Sequence, residues 1–178
     1  MTTPAPGGNR WGTLRWRIVL GLAAVVLVLD QVTKSWAVSA LADGHIIDVA
    51  WTLRFRLAFN TGMSFSLGSD SGWLIAPAAL AVVAGLLWMS RRIANPLGLV
   101  ATGLVVGGAL GNLVDRAFRA GDGVLGGAVV DFIDVQWWPV FNVADMGVVV
   151  GAVLLLIATW FEDASTDTGE DIVARDPA

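Results

Sequence analysis

The apolar residues of this chain are concentrated in four long segments that are separated by shorter, more polar stretches. These segments are residues 18–38, 73–89, 97–113 and 140–161. Each is close to the roughly 20 residues that an α-helix needs to cross the hydrocarbon core of a bilayer. Tryptophans stand near both ends of the first, second and fourth segments, as they do at membrane interfaces. The pattern predicts an α-helical polytopic membrane protein with four transmembrane helices.

Two of the connections show a different pattern, in which apolar and polar residues alternate with a period of two. Between residues 45 and 59, Trp51, Phe55 and Leu57 fall on one face, and residues 129–135 alternate similarly. The alternation predicts one half-buried strand in each region, and the two strands would form a small β-sheet. An extended peptide could add to such a sheet as a further strand. The alternative is that the amphipathic sheet only covers the end of the helices.

Arginines indicate how the segments are oriented. Arg10, Arg15 and Arg17 precede the first segment, and Arg91 and Arg92 stand in the short second connection. Positive charge in short loops favours the cytoplasmic side of a membrane. With four crossings, both termini are therefore expected in the cytoplasm, and the β-sheet is expected on the extracytoplasmic side.

This orientation divides the chain into three parts. Residues 1–15 form a polar cytoplasmic N-terminal segment, and residues 16–161 form a single four-helix membrane domain with the β elements. Residues 162–178 carry six acidic residues against one arginine, which accounts for much of the net charge of -4. We expect this acidic tail to be cytoplasmic and disordered, because it has too little apolar surface to pack.

Composition narrows the chemistry that the chain can perform. The chain is 56% hydrophobic and 15% charged, and its mean hydropathy is +0.70, which indicates that most of it lies in lipid. It contains no cysteine and a single histidine, His45. Disulfides, thiolate nucleophiles and histidine or cysteine metal cages are therefore excluded. Carboxylates, hydroxyls, lysine and arginine remain as candidate catalytic groups.

Polar residues of the apolar segments collect toward the extracytoplasmic end. Placing an ionisable group at the edge of a bilayer costs free energy unless the group has a partner. Several such groups at the same depth therefore indicate a functional site. Asp131, in the second strand region, and Asp145, at the start of the fourth segment, are the candidate acid/base pair. The other residues expected at this depth are Asp30, Asn112, Asp115, Arg116 and Asn142.

Two neighbouring carboxyls can activate water for peptide hydrolysis. They do not both ionise readily, so they share one proton and titrate as a coupled unit. The ionised member accepts a proton from water, and the protonated member stabilises the developing oxyanion. The sequence does not distinguish the acid from the base. For Asp145 alone, a helix-capping role is an alternative.

Five motifs in this order resemble the boxes of lipoprotein signal peptidase, or signal peptidase II, over about residues 20–160. They are Asp30-Gln31-Val32-Thr33-Lys34, Asn60-Thr61-Gly62 followed by Phe65, Gly108-Ala109-Leu110-Gly111-Asn112-Leu113-Val114-Asp115-Arg116, Val130-Asp131-Phe132, and Phe141-Asn142-Val143-Ala144-Asp145. Met63 and Ser64 stand where the family usually has two small residues. The resemblance implies an aspartyl endopeptidase of the bacterial inner membrane, with its active site on the extracytoplasmic side. Such an enzyme cleaves prolipoproteins immediately before their diacylglyceryl-modified cysteine.

The resemblance also implies roles for individual residues. Asp131 and Asp145 would be catalytic, and Asp115 would orient Arg116. The residues implied to bind substrate or to support the site are Asn60, Gly62, Asn112, Asp115, Arg116 and Asn142. Asp30 and Lys34, one helical turn apart, are expected to form a structural ion pair. Neither a metal nor an organic cofactor is implied. The expected partners are prolipoprotein substrates and membrane lipid, without nucleic acid, and the expected state is a monomer.

A small transporter or proton pathway is the principal alternative function. It would also place carboxylates inside a helical bundle, but it would need a polar route to both faces of the membrane. The cytoplasmic half of the predicted bundle is apolar, which favours the peptidase.

Overall fold

The computed structural model describes residues 10–62, 72–119 and 125–173, with side chains described for residues 12–62, 76–119 and 125–161. In this part of the chain, four α-helices accompany a small antiparallel sheet. The helices are α1 (Arg10–Ala40), α2 (Gly72–Ser90), α3 (Pro96–Phe118) and α4 (Val143–Val173). The strands are β1 (Ile46–Ala50), β2 (Leu53–Asn60) and β3 (Val129–Asp134). Residues 63–65 of the sequence motifs lie outside the described residues.

Three of these helices are long and apolar enough to cross a membrane. The candidate spans are Gly12–Ala40 in α1, Pro96–Phe118 in α3 and Val143–Phe161 in α4. The apolar part of α2 whose side chains are described, Ala76–Ser90, is shorter than a span. The protein is therefore helical and membrane-like, and its described residues contain three candidate spans and a small sheet.

Helix α3 lies between α1 and α4, and its glycines allow close contact on both sides. A Cβ atom built on Gly103 would lie 3.0 Å from the carbonyl oxygen of Val19, and one built on Gly107 would lie 2.7 Å from that of Ala23. A Cβ atom on Gly108 would overlap the carbonyl oxygen of Ala144 on α4. The face of α3 that carries Gly103 and Gly107 therefore packs closely against α1.

Gly108→Ala is expected to destabilise the protein, because the added methyl group forces α3 and the start of α4 apart. Overpacking of this kind costs roughly 1 to 3 kcal/mol. Gly85→Ala on α2 is the matched control, since a Cβ atom there has nothing within 4 Å. Thermal unfolding in detergent should show a lower midpoint for Gly108→Ala only. Equal midpoints would contradict this account of the helix contact.

The sheet has the order β1-β2-β3, with both pairs antiparallel. The prediction of a single strand over residues 45–59 is wrong, because Trp51 and Thr52 form a turn between β1 and β2. Trp51 has a φ of 51° and is fully exposed, so it does not share the buried face of Phe55 and Leu57. Because Trp and Thr both favour strands, the alternating pattern continues through these two residues and does not indicate the turn.

The sheet packs against the end of α1 through aromatic side chains. Trp36 on α1 lies edge-on to Phe55, with ring centroids 5.5 Å apart, and to Phe132, at 6.1 Å. Ala37 and Leu41 complete this buried cluster. The cluster holds β3, and with it Asp131, against the end of the helix bundle.

An ion cluster stabilises the other end of the β2–β3 pair. Asp134 accepts hydrogen bonds from Arg56, from the backbone of Gln136 and from Arg54, whose Nε lies 2.9 Å from Oδ2. Burial by itself raises the pKa of Asp134, but these bonds outweigh it and lower the pKa to about 2. A depressed carboxyl pKa stabilises the fold above the unfolded value near 3.9, and this contribution is lost as the pH falls through about 2.

Asp134→Asn is expected to lower the unfolding midpoint at neutral pH by an amount equivalent to about 1 kcal/mol, because it removes a charge paired with two half-exposed arginines. The midpoint difference from the unsubstituted protein should stay constant down to about pH 4 and shrink below it. Asp48→Asn, on the exposed edge strand β1, is the control. A difference that does not depend on pH would contradict the role of the charge.

Both terminal helices extend beyond the predicted membrane domain. Helix α1 begins at Arg10, inside the segment predicted as polar and cytoplasmic, and the backbone of α4 stays helical to Val173. The first part of the predicted acidic tail therefore continues the helix. The division of the chain into three parts stays a prediction.

Candidate active site

Asp131 and Asp145 are joined by one residue, Asn142. The Nδ2 atom of Asn142 donates to Oδ1 of Asp131 at 2.7 Å, and its backbone nitrogen donates to Oδ2 of Asp145 at 3.1 Å. Asp131 comes from β3 and Asp145 from the first turn of α4. Asn142 therefore ties the sheet to the helix where the two predicted catalytic carboxyls meet.

Asp145 also takes part in the cap of α4. The Oδ1 atom of Asn142 accepts from the backbone nitrogen of Asp145 at 3.0 Å, which completes a reciprocal capping arrangement with the bond just described. The other carboxyl oxygen of Asp145 accepts from Nδ2 of Asn112 at 2.8 Å. The capping role and a chemical role thus use different atoms of one side chain.

Asp131 is almost completely buried, with 3% of its surface exposed. Its second oxygen accepts from Nδ2 of Asn60 at 3.2 Å, and Oδ1 of Asn60 accepts from the backbone of Gly62 at 2.9 Å. Gly62 has a φ of +93°, which a glycine adopts without strain. Burial and then the charge of Asp145 raise the pKa of Asp131 to about 6, against the opposing bonds from Asn60 and Asn142. A carboxyl with such a pKa can hold or release a proton near neutral pH.

A buried charge network lies beneath the two aspartates. The Nζ atom of Lys34 lies 2.8 Å from Oδ2 of Asp30 and 3.0 Å from Oδ2 of Asp115, and all three side chains are at most 1% exposed. The predicted contact between Asp30 and Lys34 is therefore present. Asp30 also accepts from the backbone nitrogen of Ala144 at 2.9 Å, so the pair supports the start of α4 as well.

Asp115 has partners other than the predicted one. Its carboxyl oxygens bond to Lys34, to Nε of Arg119 at 2.8 Å and to the backbone nitrogen of Val130 at 3.0 Å. The expectation that Asp115 orients Arg116 is not supported by a hydrogen bond between them in the described part of the chain. Arg116 is 8% exposed, and its buried Nη1 atom has no hydrogen-bond partner among the described residues. A buried guanidinium nitrogen of this kind, close to the two aspartates, is suited to donate a hydrogen bond to a ligand oxygen.

Two residues of this network were missed by sequence reasoning. Gln31 donates to Asp30 at 3.2 Å, to the carbonyl oxygen of Gly111 at 3.1 Å and to Asp115 at 3.2 Å. Arg119 follows Asp115 by one helical turn. The sequence could have indicated both residues. Gln31 is adjacent to Asp30, and Asp115 and Arg119 have the i,i+4 spacing of a helical ion pair.

The outer edge of β3 is already bonded within the protein. The backbone nitrogen of Val130 donates to Asp115, its carbonyl oxygen accepts from Asn142 at 3.3 Å, and the nitrogen of Phe132 donates to Phe141 at 3.0 Å. A substrate strand therefore cannot add to this edge without breaking these bonds. Any peptide beside Asp131 must lie across the site rather than extend the sheet from β3.

Cavities lined by the described residues adjoin both aspartates. A cavity of about 370 Å³ adjoins Asp131 between β2 and the loop at Pro139, and Asn60 also lines it. A groove of about 320 Å³ between α2, α3 and α4 reaches Asp145, Asn112 and Arg116. A third, of about 490 Å³, runs along α4. Its lining includes Trp137, Trp138, Phe141, Asp145, Met146 and Val149. The two grooves at Asp145 are mostly apolar, and the cavity at Asp131 is more polar.

The described residues contain no group of three or more acidic or histidine side chains placed to hold a metal ion. The buried carboxylates of Asp30 and Asp115 both contact Lys34, whose ammonium group is the cation between them. The side chains that contact one another here carry carboxyl, amide, ammonium and guanidinium groups.

Comparisons with known proteins agree on one family. Residues 22–161 match the family model described as signal peptidase (SPase) II. A lipoprotein signal peptidase from Mycobacterium avium (strain 104) is 47% identical over 148 residues, which are 83% of this chain and 81% of the relative. The one from Mycobacterium tuberculosis (strain ATCC 25618 / H37Rv) is also 47% identical, over 83% of this chain and 73% of the relative.

A solved structure described as a bacterial membrane enzyme superposes on this fold with a TM-score of 0.72 and 27% identity. The match covers 83% of this chain and 90% of the solved one. A second bacterial membrane enzyme gives a TM-score of 0.69 at 28% identity, over 79% of this chain and 91% of its own.

Proposed function

This chain belongs to the signal peptidase II family, and we propose on that premise that Asp131 and Asp145 are its catalytic pair. As a member of this family, it is an aspartic-type protease that cleaves signal peptides from prolipoproteins. The observation that carries the catalytic assignment is the bridge that Asn142 forms between the two carboxyls. Processing of a lipidated prolipoprotein by the purified protein and its Asn variants tests the assignment.

The mechanism follows from a pair that holds one proton. A water molecule bound between the carboxyls gives a proton to the ionised aspartate, and the resulting hydroxide attacks the scissile carbonyl. The protonated aspartate stabilises the oxyanion and then protonates the leaving amine. Asn142 holds the two carboxyls near each other, because it donates a hydrogen bond to each of them.

The substrate chemistry fits the cavities around the pair. The peptide is proposed to occupy the more polar cavity at Asp131, where Asn60 can donate to its backbone. The diacylglyceryl group of the modified cysteine would lie in the apolar groove between α2, α3 and α4. Arg116 and Asn112 line that groove, and Nη1 of Arg116 has no hydrogen-bond partner in the described part of the chain. Both side chains are therefore placed to donate to an ester or peptide carbonyl.

A fourth crossing by α2 completes the proposed topology. Arg15, near the start of α1, donates to the carbonyl oxygen of Arg91 at 3.1 Å, so the α2–α3 turn lies beside the start of α1. The sheet lies against the opposite end of α1. Helix α2 has 19 residues, or about 28 Å at 1.5 Å per residue, which approaches the hydrocarbon thickness. Both termini are then on the cytoplasmic side, and the active site is on the extracytoplasmic side of the inner membrane.

A transporter or proton pathway is not favoured. The buried charges of the described chain lie at the sheet end of the bundle. Toward the other end, the buried residues are mostly apolar, including Val19, Ala23 and Val105, and buried Thr102 bonds to the carbonyl oxygen of Gly98 at 2.7 Å. This half of the bundle offers no polar route among the described residues. We propose that the protein acts as a monomer, since Asn60, Asn112 and Asn142 of the same chain already supply hydrogen bonds to the two aspartates.

A further inference from the structure

Lys34 makes one contact that an ion pair with Asp30 does not require. Its Nζ atom donates to Oδ1 of Asn112 at 2.9 Å, in addition to its contacts with Asp30 and Asp115. The side chain is fully buried. An ammonium group can only donate hydrogen bonds, so this contact constrains the neighbouring amide.

The constraint decides which way the amide of Asn112 points. Its Oδ1 atom accepts from Lys34 and also from Nδ2 of Asn142 at 3.2 Å, which leaves Nδ2 to donate to Asp145 at 2.8 Å. If the amide were reversed, its NH₂ group would face the ammonium of Lys34, and its oxygen would face the carboxylate of Asp145. Both contacts would then be repulsive. Lys34 therefore determines that Asn112 donates its hydrogen bond to Asp145.

We infer that Lys34 is a positioning residue of the active site, which acts through Asn112 to hold Asp145 as the ionised base and leaves the shared proton on Asp131. A bond from an amide NH₂ group stabilises a carboxylate more than a neutral carboxyl. This inference rests on the proposed function, and it assigns the base and the acid that the pair by itself leaves open.

The charges that face this network come from each element packed against it. Asp30 and Lys34 lie on α1, Asp115 and Arg116 lie on α3, and Arg119 directly follows α3. Asp131 faces it from β3 and Asp145 from α4. Lys34 and Arg116 both act electrostatically on Asp131. The pKa of Asp131 is nevertheless raised, by burial and by Asp145, which agrees with a proton on Asp131.

The test compares two charge changes in the same ion pair. Asp30→Asn keeps an oxygen for the backbone of Ala144 and leaves the bonds from Lys34 to Asn112 and Asp115 intact. The double variant Asp30→Asn/Lys34→Met removes the cation without adding an unpaired buried charge, since Asp115 keeps Arg119. The profile of kcat/KM against pH is measured with a lipidated peptide for both variants and for the unsubstituted enzyme.

The double variant is expected to lose about 10- to 100-fold in kcat, with little change in KM, because one charge-assisted contact is lost. Its profile should move to higher pH relative to Asp30→Asn, since removal of a cation favours protonated carboxyls. Equal profiles for the two variants, or a loss confined to KM, would overturn the inference. The unsubstituted enzyme in the same assay reports separately on the proposed function.

Asn112→Asp provides a second test if the double variant does not fold. It has almost the same shape and still accepts from Lys34, but it cannot donate to Asp145. We expect at least a 10-fold loss of kcat and a profile displaced to higher pH. An unchanged profile in a folded Asn112→Asp protein would contradict the proposed path from Lys34 to Asp145.

Discussion

Asp131→Asn and Asp145→Asn are each expected to reduce prolipoprotein processing by at least about 1000-fold, the scale of an acid/base group that directly transfers a proton. An amide can neither accept the proton of the attacking water nor return one to the leaving amine. Because one proton is shared by the pair, the loss of either member removes the function of both. The effects of the two substitutions should therefore not add, and the double variant should be no less active than either single variant.

Both variants should still fold. Asparagine has nearly the shape of aspartate, and Oδ1 of an asparagine at position 145 can still accept the capping bond from the backbone of Asn142. Cleavage of a lipidated substrate and the unfolding midpoint should be measured on the same purified samples, with Asp48→Asn as a matched exposed control. Substantial processing by either active-site variant, in a sample with an unchanged midpoint, would refute the assignment.

A substrate without its diacylglyceryl group is expected to be turned over at least about 100-fold less efficiently than the lipidated form. Transfer of acyl chains into an apolar groove contributes about 0.8 kcal/mol for each buried CH₂ group, so a few methylenes account for this factor. The groove between α2, α3 and α4 is mostly apolar and ends at Asp145, Asn112 and Arg116. Lipid binding there would place the modified cysteine beside the catalytic pair.

Filling the groove tests where the lipid binds. Ala79→Phe projects a ring into the groove from α2, and Ala81→Phe adds the same ring at an exposed position outside its lining. We expect Ala79→Phe alone to raise KM for the lipidated peptide, while the slow turnover of the unlipidated peptide stays the same. Equal turnover of the two peptides by the unsubstituted enzyme would show that the lipid is not recognised.

Some of the site could be predicted because it depends on local spacing. The ion pair of Asp30 and Lys34 needs only an i,i+4 separation on a helix, and the cap at Asn142 and Asp145 needs only three residues. The β1–β2 turn was missed, because alternation continues through Trp51 and Thr52. The hydrogen-bond partners of Asp115 could not be predicted, because proximity in sequence to Arg116 does not determine which groups its carboxyl contacts.

The sequence by itself determined the membrane setting, the apolar helices, the regions of the strands and the carboxylate chemistry, since these depend on composition and on periodicity within short windows. Only the tertiary structure decided the contacts that orient the chemistry. Lys34 meets Asn112 from 78 positions away, and Asp30 meets the backbone of Ala144 from 114 positions away. Contacts at such separations depend on how α1, α3 and α4 pack. That packing follows from glycines such as Gly108, whose missing side chain lets the helix backbones approach.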